Sequence, residues 1–395
     1  MERSKLCDIY SGAPFAEQLR AFPRLRSVTI HTNKVTRKWH GIAWGTLRAV
    51  LSIPHLREFK LSQLHFCPTL RHGEELNVES LAPITSFHYL LHHPRGRRSF
   101  PTETAALTAV LAKLCDRLET LVLMSESVSI DALARLRWPH LRKLVFYGTP
   151  WTNLSAPFVS LCSGMQSLRC LSLKLNPPPD TMIQPVWPQG FACSFPWPEL
   201  ERLVISYPDP QDQIYDHLPL SLHALSLRCW QHLYIQWFLY QKGVTYSPDR
   251  DMLLRASTML SILQRCSTLA LDHLEVEYRA DEEEDALLRY IATTFPHLKS
   301  LKIHRYRPAF HHEDVHPAQI ADALTPLAEL SHLKLFLDFV PQKGQKDIVQ
   351  EAAAVFAHSL TSSLHLVTIY YAHAIWRVFD VVAGCVHEQQ MTYRG

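Results

Sequence analysis

The sequence predicts an α/β solenoid, with short parallel strands lining a concave face and helices covering a convex one. Three observations predict it. A nine-residue pattern (large apolar, Pro, any residue, Leu, two polar, Leu, one polar, Ile) recurs along the chain. Segments between the copies carry helical spacing. The glycine-rich motifs of compact nucleotide-binding folds are missing. A motif that returns every 20 to 50 residues marks a stacked-repeat architecture, whose units each pack only on their neighbours. A chain of 395 residues can therefore exceed the roughly 250–300 residues at which one ordinary core stops growing.

Phe295-Pro296-His297-Leu298-Lys299-Ser300-Leu301-Lys302-Ile303 states the pattern most fully. Phe22-Pro23-Arg24-Leu25 with Val28 and Ile30, Trp138-Pro139-His140-Leu141 with Leu144 and Phe146, and Trp197-Pro198-Glu199-Leu200 with Leu203 and Ile205 repeat it. The first leucine-like position falls at Leu25, Leu56, Ile84, Leu118, Leu141, Leu168, Leu200, Leu222, Leu271, Leu298, Leu330 and Leu364. Alternate residues of each core point to opposite faces of a strand. Leu301 and Ile303 then point inward, and Lys302 and His304 outward.

The intervals supply the helices. Phe15 to Phe22 resembles the tail of a repeat helix. Thr104 to Leu114 places Leu107, Val110, Leu111 and Leu114 on one helical face. Ser129 suits an N-cap for a helix through Leu133 and Leu136, with Asp131 in its first turn. Asp251–Cys266, Asp285–Phe295, Pro317–Leu324 and Lys346–Leu360 read the same way, and Ala374 to His387 reads as a closing helix. One unit alone buries three or four large apolar side chains at about 1.5–3 kcal/mol each. Ordering some 30 residues costs about 1–2 kcal/mol apiece, so only stacking makes the unit stable.

The domain reading is an incomplete first repeat or edge segment at 1–21, an array at 22–373 with an aromatic insertion at about 229–250, and a capping helix and tail at 374–395. Three places break the rhythm. His92-His93-Pro94-Arg95-Gly96-Arg97-Arg98 reads as a solvated basic loop, since no aromatic stack accompanies it as in a nucleic-acid patch. The insertion holds Trp230, Trp237, Phe238, Tyr240 and Tyr246, either as a ledge that binds something or as packing on the solenoid edge. Asp281-Glu282-Glu283-Glu284-Asp285 suits the start of the following helix. No capping module precedes Phe22, and a bare apolar first face is expected to be sticky.

Composition narrows the function. Hydrophobic residues make 47% of the chain and charged ones 19%, as in a globular protein, and the net charge of +3 implies neither nucleic acid nor an anionic membrane. Nine cysteines without a Cys-x-x-Cys pair are expected to be free thiols in a reducing compartment. No secretory signal or membrane span is expected, so the reading is an intracellular protein, cytoplasmic or nuclear. With 12 glycines, the chain has no G-x-G-x-x-G, P-loop or G-x-S-x-G.

His312-Glu313-Asp314-Val315-His316 matches H-E-x-x-H, which binds zinc when both histidines share a helical face. Pro317 disfavours helical geometry at His316, and the repeat register puts the segment in a loop. A zinc hydrolase is therefore a distant alternative. Glu275 and Glu277 share a strand face, but an open sheet offers no dry pocket to raise a carboxylate pKa. No catalytic residue, metal or cofactor is expected.

The segments FPRLRSVTI, WPHLRKLVF, WPELERLVI and FPHLKSLKI resemble the repeats of intracellular leucine-rich-repeat proteins, and in particular those of the divergent F-box proteins expanded in fungi. The resemblance spans about residues 15 to 390 and implies a right-handed, curved horseshoe. In that family the array holds a protein substrate while an N-terminal F-box grips a linker subunit of a cullin-type ubiquitin ligase. The chain shows no Leu-Pro-x-Glu start, and the asparagine usual after each core appears only as Asn33 and Asn176. Substrate-type recognition carries over, and ligase recruitment does not.

The expected function is a non-enzymatic protein-binding scaffold, with a ligase substrate receptor of missing or unrecognised F-box as the alternative. A protein partner is expected on the concave strand face, with ubiquitin-ligase components as further candidates and neither nucleic acid nor membrane. The outward residues offered as contacts are Val122, Met124, Val145, Tyr147, Lys174, Arg202, Val204, Arg228, Lys302, His304, Lys334 and Phe336, because aromatic and arginine positions on such a face anchor interfaces.

Overall fold

A computed structural model describes residues 5–6, 13–32, 40–91, 100–177, 184–241, 252–266, 269–308, 315–339, 345–360, 363–372 and 375–389. Two compact units divide the chain, Met1–Leu200 and Glu201–Gly395. Both are α/β, and in both the parallel strands follow one another in sequence order.

The first unit runs β1 (Lys5–Leu6), α1 (Ala13–Arg20), β2 (Ser27–His31), β3 (His40–Ile42), α2 (Trp44–Leu51), β4 (Glu58–Ser62), β5 (His65–Phe66) and β6 (Ser86–Leu90). It continues with α3 (Pro101–Leu114), β7 (Thr120–Met124), α4 (Ile130–Ala134), β8 (Lys143–Gly148), α5 (Phe158–Leu161) and β9 (Cys170–Leu175). Strands β2, β4, β6, β7, β8 and β9 pair in that order, all parallel. A small parallel sheet, β1-β3-β5, lies apart from them.

The second unit runs β10 (Arg202–Ser206), β11 (Ala224–Arg228), α6 (Leu233–Gln241), α7 (Ala256–Arg265), β12 (His273–Arg279), α8 (Glu284–Thr294) and β13 (Ser300–Tyr306). Then come α9 (Pro317–Leu324), β14 (His332–Phe336), α10 (Gln345–Ser359), β15 (Leu366–Ala372), β16 (Ile375–Val382) and β17 (Cys385–Glu388). Strands β10 to β15 pair parallel in sequence order, and β16 and β17 add antiparallel.

Each of the twelve anchors stands two residues before the first residue of a strand, from Leu25 before β2 to Leu364 before β15. Every anchor from Leu56 onward is fully or almost fully buried, and each contributes about 1.5–3 kcal/mol by leaving water. Leu25 is half-buried and the neighbouring Phe22 is 62% exposed. At ten of the twelve anchors the following residue joins one repeat to the next, its carbonyl accepting two consecutive backbone N–H groups, as Arg26 accepts from Arg57 and Glu58, and Lys299 from Ser331 and His332. Backbone groups thus meet the pairing requirement that an asparagine ladder would otherwise serve.

The predicted helices at 104–114, 285–295, 317–324 and 346–360 form as α3, α8, α9 and α10, within a few residues at their ends. Ser129 caps α4, accepting from the Ala132 N–H at 3.4 Å. Asp281 accepts from Ser257 N–H and Oγ–H at the start of α7, so part of the acidic run caps the preceding helix as well. The described cysteines are free thiols.

The closing helix expected over 374–387 is corrected. Ile375–Val382 and Cys385–Glu388 are strands, and β16 covers the edge of β15. The spacing of Trp376, Phe379 and Val382 mimics a helix. However, Arg377, Phe379 and Val381 are buried in strict alternation. Ala383 and Gly384, at φ 51° and 76°, make the two-residue turn of a hairpin. The buried Arg377 guanidinium is held by the Glu388 carboxylate. The basic loop 92–98, Asn33, residues 242–250 of the insertion, His312-Glu313-Asp314 and the tail 390–395 lie outside the described residues.

Candidate functional site

In the second unit the face of the sheet turned away from Leu301 and Ile303 carries two rows of side chains in register. One runs Val204, Ser226, Glu275, Lys302, Lys334, and the other includes Glu277, His304 and Phe336. The described part of the aromatic insertion closes over the second row. Cys229, His232, Leu233 and Tyr234 are all buried there.

Glu277 is the anchor of that closure. Its Oε2 accepts the Cys229 N–H at 2.9 Å and the His232 Nδ1–H at 2.6 Å. Its Oε1 accepts the Leu233 N–H at 3.1 Å and the Tyr306 O–H at 2.9 Å. The carboxylate therefore sits at the N-terminus of α6, where free amides and the helix dipole both favour a negative charge. Burial pushes its pKa up, but the His232 ring and these hydrogen bonds outweigh burial and hold it below the ordinary carboxylate value.

Tyr234 fixes the other side of the helix. Its ring lies 4.8 Å from Phe336, 4.7 Å from Tyr370 and 5.9 Å from His304. Trp376 closes on Tyr370 edge-on at 5.4 Å, with Lys334 Nζ 3.9 Å above its indole. Such aromatic pairs add about 0.5–1.5 kcal/mol each beyond burial.

Beside Glu277 lies a second polar group. The Glu275 Oε2 accepts the Ser226 Oγ–H at 2.6 Å and faces Arg228 Nε at 3.5 Å. Its Oε1 faces His304 Nε2 at 3.4 Å and His232 Nε2 at 3.7 Å. Burial raises the Glu275 pKa, yet His304 and Arg228 together hold it well below the usual range. Arg228 NH1 lies 2.6 Å from His232 Nε2. A guanidinium can only donate, so Nε2 accepts and Nδ1 carries the proton given to Glu277. The two imidazoles stack at 4.0 Å. His304 is 1% exposed, its Nδ1 makes no hydrogen bond, its Nε2 has only the long Glu275 contact, and burial above all lowers its pKa to about 4.

The twelve residues expected on an open face are distributed unevenly. Arg202 is exposed, and Tyr147, Lys174, Arg228, Lys302 and Lys334 are half-buried. Val122, Met124, Val145, Val204, His304 and Phe336 are buried, which corrects the expectation that they stand out into solvent. For His304 and Phe336 the reason is the inserted helix. Val122 and Val145 are short side chains flanked in register by His88, each other and Ser172 on strands about 4.8 Å apart. Lys174 donates to the Tyr147 hydroxyl at 3.2 Å.

The expectation that Glu275 and Glu277 lack a dry pocket is corrected, because the insertion supplies one, but the pKa of each is lowered there and not raised. His232 was invisible to pattern reading, since nothing local distinguishes it among 23 histidines. Its one signal is its place in an aromatic-rich interruption. His316, the second histidine of the H-E-x-x-H match, has extended backbone (φ −102°, ψ 91°) as the cap of α9, so it lies outside the helix.

No protein-family model matches the chain, and no curated protein matches it.

Proposed function

We propose that the chain is a leucine-rich-repeat solenoid acting as a non-enzymatic protein-binding scaffold. Its partner lies along the outer strand face of the second unit and presents acidic groups to it. The parallel strands set by anchoring leucines, most of them linked to the next through one shared carbonyl, support the repeat assignment. The observation that carries the binding role is the end of that face left open among the described residues. A depression there is lined by Arg202, Ser226, His273, Glu275, Ser300 and Lys302, while α6 seals the opposite end of the same strands. Arg202 and Lys302 supply charge at its rim without a described ion pair, and side chains of this kind set partner choice and association rate.

Arg228 is omitted as a contact because His232 and Glu275 engage it. The test is affinity purification with quantitative mass spectrometry, comparing the parent chain with the double variant Arg202→Glu/Lys302→Glu. Captured proteins should be lost from the variant while its thermal melting stays unchanged. Equal capture by both chains would sink the assignment of this face.

A further inference from the structure

We propose that His232, Glu275 and His304 form a binding site for a divalent transition-metal ion, with Zn2+ as the ion their donor set suits best. Two imidazoles and a carboxylate are the donors zinc takes in sites with three protein ligands. One ligand atom from each of the three residues lies within 4.8 Å of the others. The two measured gaps from Glu275 Oε1, 3.4 Å to His304 and 3.7 Å to His232, approach the geometry required. Ligands about 2.0–2.1 Å from zinc at tetrahedral angles stand about 3.3–3.4 Å apart.

A second observation points to a ligand. His304 is buried with Nδ1 lacking any hydrogen bond and Nε2 meeting only the Glu275 carboxylate, in a long contact of 3.4 Å, whereas buried polar groups in native proteins almost always have a well-formed partner. The surroundings also carry the outer contacts a metal site uses to orient its ligands. Glu277 takes the Nδ1 proton of His232, leaving Nε2 turned toward Glu275, and Ser226 holds the other Glu275 oxygen.

Arg228 is the competitor. Its guanidinium takes the His232 Nε2 lone pair that the ion would use, so metal entry requires it to swing away. The ring of Trp230, 5.2 Å from the guanidinium carbon, offers a neighbouring resting surface. Lys302, beside Glu275 in register, and Lys334 beyond it also oppose a cation, while the two carboxylates favour one. Bound there, the ion would tie the insertion to β12 and β13 through one ligand from each. The site shares Glu275 with the depression proposed for the partner, and it uses neither histidine of the H-E-x-x-H match.

The experiment strips the full chain with a chelator and titrates it with Zn2+, and with Co2+ as a visible-absorption probe. One equivalent should bind, with tetrahedral Co2+ bands and a melting temperature that rises with free metal. His304→Phe keeps a ring to stack on His232 and Tyr234, so it should fold and weaken binding by about a hundredfold or more. His312→Ala should bind like the parent. Arg228→Met should tighten binding by about tenfold. Affinity unchanged by His304→Phe, or abolished by His312→Ala, would overturn the site, as would failure of both the parent and Arg228→Met to take up metal.

Discussion

The outer strand faces of the two units are built on the same repeat and finished differently. In the first, the register row through β4 to β9 reads Lys60, His88, Val122, Val145, Ser172. Its centre is small and neutral, and neighbouring strands are enough to bury it. In the second, the row through β10 to β14 reads Val204, Ser226, Glu275, Lys302, Lys334, with Glu277 and His304 behind it. Glu277 and His304 leave water only because α6 brings backbone amides, His232 and Tyr234 to meet them. A repeat core therefore tolerates any outer face, but a buried charged one needs a lid of matching chemistry.

The largest test of this contrast is Glu277→Gln. Replacing a carboxylate that accepts four hydrogen bonds leaves donors facing an amide N–H2, and should cost about 3–5 kcal/mol in denaturant unfolding. A loss under about 1 kcal/mol would show that the helix is not held through this residue.

Acid pH should act next. The His304 pKa falls from 6.5 to about 4 on folding, so the unfolded chain takes up a proton that the folded chain refuses. Stability is complete above about pH 6.5 and declines as pH falls toward 4, by about 3 kcal/mol. Below that, protonation of Glu275 and Glu277, whose folded pKa values are depressed, removes more. His88 in the first unit is also lowered to about 4, by burial and then by Lys60, so His304→Phe should remove only part of the slope between pH 6.5 and 4. A slope that His304→Phe leaves untouched would place the titration elsewhere.

At neutral pH and without metal, the same His304→Phe substitution should stabilise the chain by about 1 kcal/mol, since it removes a buried Nδ1 that lacks a hydrogen bond and an Nε2 with only the long Glu275 contact. Thermal melting of metal-free protein measures this. The smallest effect belongs to the first unit. Lys60→Ala breaks a 2.7 Å ion pair with Glu58 in which both side chains are about a third exposed, and should change stability by less than about 0.5 kcal/mol.

The repeat cores were legible because their information is local. A leucine, two polar residues and an alternating apolar pair specify a strand wherever they occur, and the proline opening marks where it begins. The hairpin at 375–388 was not legible, since Trp376, Phe379 and Val382 stand three apart, which fits a helix, and the alternating buried set includes a charged residue, Arg377. What decides is the free edge of β15, which pairs with an extended chain and not with a helix. The outer face was legible only by parity. Alternation says that Val145 and His304 point away from the core, but it cannot say whether neighbours or an insertion will bury them.

By itself, the sequence determined which residues become the twelve repeat strands, their order and which side chains anchor them. Those choices rest on contacts within a repeat or between adjacent ones, where spacing along the chain is a direct guide to spacing in the fold. Only the tertiary structure decided that His232 meets Glu277, 45 residues on, and shares Glu275 with His304. That meeting depends on the path of an irregular insertion across the sheet. Burial then turns two acids and two histidines of no local distinction into a dry, charged cluster, where the protonation of Glu275, Glu277 and His304 is set by their surroundings and not by their own chemistry.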